Sequence, residues 1–391
     1  MSNELFNRSA DLKRLREEGY CVEKVGGSLL LRDVPHVGPD RKVHFGAIVS
    51  ELNASGDQTQ KPSSHQVDFI GETPCDTNGA PLKLNDQPIN NKLANGMVAT
   101  HRFSRKPQAG YTDYFEKLTT YANFIAAPAI ESDTSLSPKS LRSPSAEATS
   151  IFKYTETASD RAGIGEVTRR LEEDRIAIIG LGGTGSFVLD QVAKTPVQEI
   201  HLFDSDVFLQ HNAFRSPGAA SLEELREVMP KVEYYARKYS PMRHGIFPHA
   251  VDLDKSNLDL LNNISFAFVC IDVGPPKLVI ADKLESIGAS FTDVGMGLDL
   301  TDGELGGVLR LTISTPEDRS TMRSGVVPSQ GGGEDDLYST NIQVSDLNAM
   351  NALMAVIRWK KLRRFYRDLK QEHHSAYTVD TGKISLAEGD E

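Results

Sequence analysis

The sequence is poor in cysteine. Its 391 residues include only Cys21, Cys75 and Cys270. Three widely separated thiols exclude a disulfide framework of the kind that stabilises small secreted domains, and none of them forms a C-x-x-C pair typical of a zinc site. The sequence therefore predicts neither a disulfide-stabilised fold nor a cysteine-based metal centre.

Long apolar runs and positive charge are also missing. No stretch approaches the roughly 20 apolar residues that a membrane-spanning helix needs, and the N-terminal sequence MSNELFNRSADLKRLREEGY has no signal-peptide character. The formal net charge of −11 argues against the nucleic-acid backbone as the main partner. We therefore expect a cytoplasmic protein that acts on neither a membrane nor nucleic acid.

The rest of the composition is that of an ordinary globular protein, with 39% hydrophobic and 25% charged residues. The chain is long enough for two domains, each with its own core. Its patterns predict a smaller α+β domain over residues 1–127, a linker rich in Pro, Ser and Thr over 128–157, an α/β domain over 158–372, and a fraying acidic tail over 373–391.

The clearest motif is a glycine-rich turn that follows a short apolar run, 176–179, typical of a buried parallel strand. Its glycines, which include a G-x-G-x-x-G pattern, are Gly180, Gly182, Gly183 and Gly185. Such a turn lets backbone N–H groups at a helix N-terminus approach a phosphate. The next strand ends at Asp204, and an acid at this place usually holds a ribose hydroxyl. The sequence therefore predicts a nucleotide site in a doubly wound, Rossmann-like sheet.

A glycine motif of this kind occurs most often in dinucleotide sites, so an NAD-dependent dehydrogenase is the first alternative. Residues further along the chain favour a nucleoside triphosphate. They are acids, an amide and cations at or beyond strand ends: Asp206, Asn212, Arg215, Lys231 and Asp272. This set suits a triphosphate with Mg²⁺ better than a nicotinamide ring, because hydride transfer needs none of them. Each residue alone has an ordinary structural explanation, and only their occurrence together in this order carries the argument.

From about residue 161 to 359 the chain resembles the ThiF/MoeB/E1 family, the ATP-dependent activating enzymes of ubiquitin-like proteins and sulfur carriers. In that family a D-x-D follows the glycine turn, an Asn occurs eight residues after its first acid, and an Arg follows three residues later. Asp204, Asp206, Asn212 and Arg215 have this spacing. The family's helix lysine, in a Pro-Lys-Val context, matches Lys231.

The resemblance implies roles for three further residues. The family's metal-binding Asp in a T-D-N sequence matches Asp272, although Ile271 and Val273 replace the Thr and the Asn. A basic residue five positions on matches Lys277, and the family arginine that reaches the triphosphate of the partner subunit matches Arg161. The resemblance thus implies a homodimer that binds ATP and Mg²⁺, and because the family's zinc cysteines are missing we expect no zinc.

The reaction implied by the resemblance is adenylation of the C-terminal carboxylate of a ubiquitin-like or oligo-ubiquitin protein. Arg215, Lys231 and, from the partner subunit, Arg161 would stabilise charge on the phosphoryl oxygens, and Mg²⁺ held by Asp272 would neutralise the departing pyrophosphate. Many family members then transfer the acyl group to their own cysteine, but no cysteine follows Cys270 in this sequence. Cys270 itself lies in a buried strand run, where a thiol is usually inert. We therefore predict direct transfer to a separate E2-like protein.

Other acceptors and functions remain open. A serine ester in the loop 314–339, at Ser320, Ser324 or Ser329, is one alternative, and Cys75 is another. A catalytically idle, nucleotide-binding scaffold of a conjugation complex is the main alternative function.

The N-terminal domain contains the pieces VPHV, HQVDFIGETPCD and FSRKPQAGYTDYFEKLTTYA. In these pieces it resembles a domain that precedes such adenylation domains in bacterial operons with ubiquitin-like proteins, which implies that it binds a substrate or partner. Its histidines are His36, His44, His65 and His101. A metal site is one alternative, but their spacing matches no known metal-ligand pattern, so we favour the interpretation that they are structural or exposed side chains.

Overall fold

The computed structural model describes residues 2–142, 150–154, 156–272, 274–323 and 342–387. Contacts divide the chain into two compact units, Met1–Gly163 and Ile164–Glu391. None of the helices in these described ranges is long and apolar enough to cross a bilayer.

The first unit is built on an antiparallel sheet with the strand order β1-β2-β3-β6-β8-β7. Its elements, in chain order, are α1 (Ser2–Arg8), α2 (Ala10–Glu17), β1 (Val22–Val25), β2 (Ser28–Val37), β3 (Val43–Glu51), β4 (Ala54–Ser55), β5 (Gln58–Thr59), β6 (Gln66–Ile70), β7 (Gln87–Lys92), β8 (Val98–Ser104), α3 (Tyr114–Ser132) and α4 (Ala158–Ala162). The short strands β4 and β5 pair with each other.

Helix α3 covers this sheet and supplies much of the core of the first unit. Asp113 caps it by accepting a hydrogen bond from the Glu116 N–H at 2.7 Å. Buried side chains recur at helical spacing along it, including Tyr114, Leu118 and Tyr121. The helix continues through Ser132, beyond the point where the sequence predicted a linker.

The second unit contains a larger sheet with the order β11-β10-β9-β12-β13-β14-β15-β16. Its elements are α5 (Gly165–Arg169), β9 (Arg175–Ile179), α6 (Gly183–Val192), β10 (Glu199–Phe203), α7 (Gln210–Ala213), α8 (Leu222–Arg226), α9 (Lys231–Tyr239), β11 (Ile246–His249), a 3₁₀ turn (Leu258–Leu261), β12 (Phe266–Val269), α10 (Pro275–Ser286), β13 (Ser290–Thr301), β14 (Glu304–Ser314), α11 (Ser320–Arg323), α12 (Ser345–Leu362), β15 (His374–Thr378) and β16 (Lys383–Ala387).

Strands β11 to β13 of this order pair in parallel, and the remaining pairs are antiparallel. Alternate residues of β9 enter different cores: Ile176 and Ile178 pack with residues of α6, α9 and α12, whereas Ala177 and Ile179 pack with residues of α10. Helices therefore cover both faces, as parallel strands require. The predicted fold class, a doubly wound α/β domain preceded by a smaller α+β domain, is confirmed.

The prediction of a fraying tail over 373–391 is wrong for its described part. β15 pairs with β14, with His374 opposite Thr312, and β16 pairs with β15. The segment is polar because it forms the edge of the sheet, where most of its residues are half-buried or exposed. Backbone pairing, which sequence hydrophobicity does not record, holds it in place.

Candidate functional site

The glycine turn joins β9 to α6 at the carboxyl edge of the parallel strands. Gly180 has φ +88°, and a Cβ there would lie 2.7 Å from the Cys270 carbonyl oxygen, so only glycine fits. A Cβ at Gly185 would lie 1.8 Å from the Gly180 carbonyl oxygen. At Gly182, which precedes the first turn of α6, an added Cβ would meet no atom of the described residues within 4 Å. The turn therefore packs tightly at Gly180 and Gly185. At Gly182 it leaves space beside the N–H groups of the helix N-terminus.

Asp204 ties this turn to the end of β10. Its Oδ2 accepts a hydrogen bond from the Leu181 N–H at 2.7 Å, and its Oδ1 accepts one from the Asp206 N–H at 2.9 Å. Lys231 Nζ lies 3.3 Å from the same Oδ1. The carboxylate therefore holds the shape of the turn in addition to the ribose contact that the resemblance implies for it.

Lys231 begins helix α9 directly after Pro230. Its backbone N–H donates to the Asp206 carbonyl at 2.9 Å, and its Nζ donates to Asp206 Oδ2 at 2.6 Å. The lysine side chain is 7% exposed and the Asp206 side chain is 72% exposed. We call this contact the open pair, because its carboxylate faces solvent.

The segment that leaves β10 carries two buried donors whose hydrogen-bonding capacity is unused. Asn212, in α7, accepts a hydrogen bond from the Leu209 N–H at 2.9 Å through Oδ1, but its Nδ2 has no partner among the described residues. The same holds for Arg215 Nε. A buried polar group without a partner costs about 1–3 kcal/mol. These donors are therefore suited to an acceptor that arrives with a ligand.

Two asparagines of α12 lie against the site and were missed by the sequence reasoning. Asn348 is fully buried, accepts a hydrogen bond from Thr184 Oγ1 at 3.1 Å, and occupies the space where a Cβ of Gly183 would be, 2.0 Å from its Nδ2. Asn351 donates from its Nδ2 to the Gly295 carbonyl at 3.0 Å. Two amides three residues apart, on the helix face that also carries Ala352 and Ala355, are the signal that could have revealed them.

Lys277, in the first turn of α10, lies in a different environment. Its Nζ is 2.5 Å from Asp293 Oδ1 in β13, and Arg310 Nη2 of β14 is 3.5 Å from Asp293 Oδ2. Asp293 is fully buried and Lys277 is 3% exposed. We call this contact the sealed pair. The structure thus places Lys277, which the resemblance assigned to the nucleotide, in an interior ion cluster.

Cys270 and Asp272 directly follow β12. In the chain they lie after the residues of the open pair and before those of the sealed pair. Burial and the neighbouring Asp293 raise the pKa of the half-buried Cys270 thiol, and Lys277 opposes that rise. The thiol therefore stays protonated at neutral pH, which makes it a poor nucleophile. Asp272 is exposed on the segment that leads to α10, and Val273 lies outside the described residues.

The remaining candidates are described only in part. Arg161 belongs to α4, but its side chain lies outside the described part of the chain, as do Ser324 and Ser329. Ser320 begins α11, where its hydroxyl donates to Asp318 Oδ1 at 2.6 Å. Cys75 is buried, and its Sγ donates to the Thr73 carbonyl at 3.3 Å.

Comparisons with known proteins agree with the two units. Residues 10–157 match a family described as a domain of unknown function (DUF6791), and residues 158–291 match the ThiF family. Ubiquitin-like modifier-activating enzyme 5 of Xenopus laevis is 23% identical over 159 residues, which cover 38% of this chain and 40% of that protein. The protein of the same name from Branchiostoma floridae is 23% identical over 159 residues, with coverages of 38% and 39%. The chain thus spans about two fifths of the length of these curated relatives.

Among solved structures, Escherichia coli MccB with ATP is 16% identical, has a TM-score of 0.42, and is matched over 57% of this chain and 66% of that chain. Residues 158–291 thus form a domain that matches the ThiF family, and the domain that precedes it matches a different family.

Proposed function

We propose that the protein uses ATP to adenylate the C-terminal carboxylate of a ubiquitin-like protein. The observation that carries this proposal is the pair of unused buried donors, Asn212 Nδ2 and Arg215 Nε, on the segment that leaves the strand beside the glycine turn. The ThiF-family match over residues 158–291 supports the same chemistry.

The residues at this edge fit a triphosphate. Its oxygens are acceptors, and the edge offers donors: the open first turn of α6, Lys231, Arg215 and Asn212. Lys231 already holds a carboxylate, and the solvent-exposed Asp206 is the partner that a phosphate oxygen can replace. Asp204 keeps the hydrogen bond from the Leu181 N–H while ATP is bound, and so maintains the conformation of the glycine turn.

The edge also fits Mg²⁺, which prefers carboxylate oxygens and keeps several of its waters. Asp272 would hold the ion, since it is an exposed acid next to the end of β12, and the exposed Asp206 is a second acid at the same edge of the sheet. An ion held there would supply positive charge to neutralise the departing pyrophosphate.

The chemical step needs no general base. The carboxylate of the ubiquitin-like protein is ionised at neutral pH and attacks the α-phosphorus of ATP; a new O–P bond forms, the bond to the bridging oxygen breaks, and pyrophosphate departs with its electron pair. Lys231 and Arg215 stabilise the charge that builds on the phosphoryl oxygens. A homodimer in which Arg161 contacts the triphosphate of the other subunit completes the proposed site.

The acyl group then passes directly to a nucleophile of an E2-like protein: a bond from that nucleophile to the acyl carbon forms, the bond between the acyl carbon and the phosphate oxygen breaks, and AMP leaves with the electron pair. No cysteine follows Cys270 in the sequence, and the Cys270 thiol is kept protonated by burial. The N-terminal unit, which has its own core and sheet, serves in this proposal to bind the ubiquitin-like protein or the acceptor.

The test is ATP–pyrophosphate exchange by the full chain with the small protein that co-purifies with it. Exchange should depend on that protein's C-terminal carboxylate. It should be lost in Asp272→Ala and kept in Asp259→Ala, which removes an exposed acid of the same unit that contacts Lys283. Binding of the small protein without exchange would instead indicate a scaffold, and binding of NAD with no binding of ATP would indicate a dehydrogenase.

A further inference from the structure

The sheet of the first unit brings together side chains from two turns. His36 in β2 and His44 in β3 are direct partners across the antiparallel ladder, so their side chains project from the same face. The connection between these strands contains Asp40. Strand β6 lies on the other side of β3, with Ile70 opposite Ala47, and the chain leaves it through Gly71 into Glu72.

Three of these side chains converge on one point. His44 Nε2 lies 2.9 Å from Asp40 Oδ1 and 3.6 Å from Glu72 Oε2, and the three ligand atoms all lie within 4.8 Å of one another. Ligand atoms bound at about 2.0–2.2 Å to one divalent ion are separated by roughly 3.0–3.5 Å. The two separations from His44 are close to that range, so a side-chain movement that brings Asp40 and Glu72 closer together places all three on one ion.

Gly38 leaves the space between these ligands open. A Cβ at this position would lie 2.8 Å from His44 Cδ2, 2.9 Å from Glu72 Oε2 and 3.0 Å from Asp40 Oδ1. Any other residue would push the three side chains apart. The glycine therefore leaves room for one imidazole and two carboxylates to approach a common point.

His36 supplies a second, independent observation. The side chain is fully buried, and its Nε2 has no hydrogen-bond partner within the described ranges of the chain. Its ring centroid is 5.9 Å from that of His44, and its Nδ1 is 3.5 Å from the Val34 carbonyl oxygen. A proton on Nδ1, directed to that carbonyl, leaves the Nε2 lone pair available as a ligand.

We propose that Asp40, His44 and Glu72 bind a divalent transition-metal ion, with His36, which lies beside this three-ligand group, as a neighbouring donor. One imidazole with two carboxylates suits first-row ions such as Zn²⁺ and Co²⁺. The ion joins the β2–β3 turn to the exit of β6 and stabilises that end of the sheet. This site is independent of the adenylation proposed for the second unit.

The experiment titrates the full-length protein with Zn²⁺ by calorimetry and with Co²⁺ by visible absorption. The wild type should bind one ion at this site, and Co²⁺ bound there should give a d–d spectrum of imidazole and carboxylate coordination. The unfolding temperature should rise with added Zn²⁺. His44→Gln should weaken binding about 100-fold or more, and His36→Gln about tenfold, on the scale measured for ligand and supporting residues. Ions held at Asp272 would remain in both variants.

His101→Gln is the matched control. His101 contacts Asp86 at 2.9 Å in the same sheet but lies outside the three-ligand cluster, so its loss should leave the affinity unchanged. If His44→Gln fails to fold, Glu72→Gln decides, because its side chain is 58% exposed. The proposal is overturned if the wild type and the folded variants bind the metal ion equally. It is also overturned if Asp272→Ala abolishes all of the metal binding seen in the wild type.

Discussion

Lys231 and Lys277 are buried lysines that follow strands of the same parallel sheet, and each is paired with a carboxylate. In the open pair the partner, Asp206, is 72% exposed, whereas in the sealed pair Asp293 is fully buried and contacts a second cation, Arg310. Removing one partner of a buried ion pair leaves an uncompensated charge, but an exposed carboxylate can be exchanged for another anion. The exposure of the partner, rather than that of the lysine, therefore distinguishes a ligand site from an interior contact.

The largest expected effect tests the sealed pair. Asp293→Asn leaves Lys277 and Arg310 buried without a counter-charge, and we expect a loss of about 3–5 kcal/mol in the free energy of unfolding. Asp206→Asn is the matched substitution in the open pair. It should cost less than about 1 kcal/mol, because Lys231 keeps Asp204 at 3.3 Å. Urea denaturation measures both, and equal losses in the two variants would remove the distinction between the pairs.

The next effect tests the open pair through activity. Lys231→Met should lower ATP–pyrophosphate exchange by about 10²–10³-fold, because a fixed cation on the phosphoryl oxygens is lost. Lys277→Met should chiefly lower stability, since its Nζ contacts Asp293 inside the sheet. Lys283→Met, which removes a lysine that contacts the exposed Asp259, is the neutral control. The comparison fails if folded Lys277→Met loses as much exchange as Lys231→Met.

These two lysines also show how far the sequence reasoning reaches. The strand, the glycine turn and Asp204 could be predicted because they are local, and the constraint at Gly180 is visible in the sequence as a glycine. The position of Lys277 could not be predicted, because it depends on how the next two strands, which carry Asp293 and Arg310, join the sheet.

Other differences have the same origin. The sequence predicts β15 as tail because the stability of this strand comes from pairing with β14 and β16 rather than from its own hydrophobicity. Asn348 reaches the glycine turn from a helix distant in sequence. The ligands Asp40, His44 and Glu72 are brought together by strand register, so their linear spacing matches no metal motif. Long-range pairing decides all these positions.

A third buried lysine, Lys117 in α3, extends the comparison of the two pairs. The effect expected for it is smaller and depends on pH. Its fully buried Nζ donates to Ser50 Oγ at 2.9 Å and to Glu51 Oε2 at 2.8 Å, and the Glu51 side chain is 33% exposed. Burial lowers the pKa of Lys117, and Glu51 opposes this only in part. The pair is thus intermediate in exposure between the open and the sealed pair.

The lowered pKa of Lys117 fixes the sign of the pH dependence. Between the folded-state pKa and the unfolded value of about 10.4, the unfolded chain binds more protons than the folded chain, so this group makes stability rise with pH in that window. Below the folded-state pKa its contribution is constant. The difference in unfolding free energy between wild type and Lys117→Met should therefore shift in favour of the wild type as pH rises toward about 10.4. A difference that is flat with pH, measured by urea denaturation, would contradict this.

The smallest expected effect concerns Cys270, which is a neighbour of both the glycine turn and the sealed pair. Gly180 of the glycine turn packs on its carbonyl oxygen, while Asp293 of the sealed pair helps to raise the pKa of its thiol. If the thiol takes no part in transfer, Cys270→Ala should leave exchange within about twofold and cost about 1 kcal/mol of stability, as small core substitutions do. On gels run without reducing agent, the wild type should show no thiol-sensitive adduct with the ubiquitin-like protein. An adduct that thiols remove and that disappears in Cys270→Ala would place the acceptor on this chain, and the sealed pair would then serve the chemistry as well as the fold.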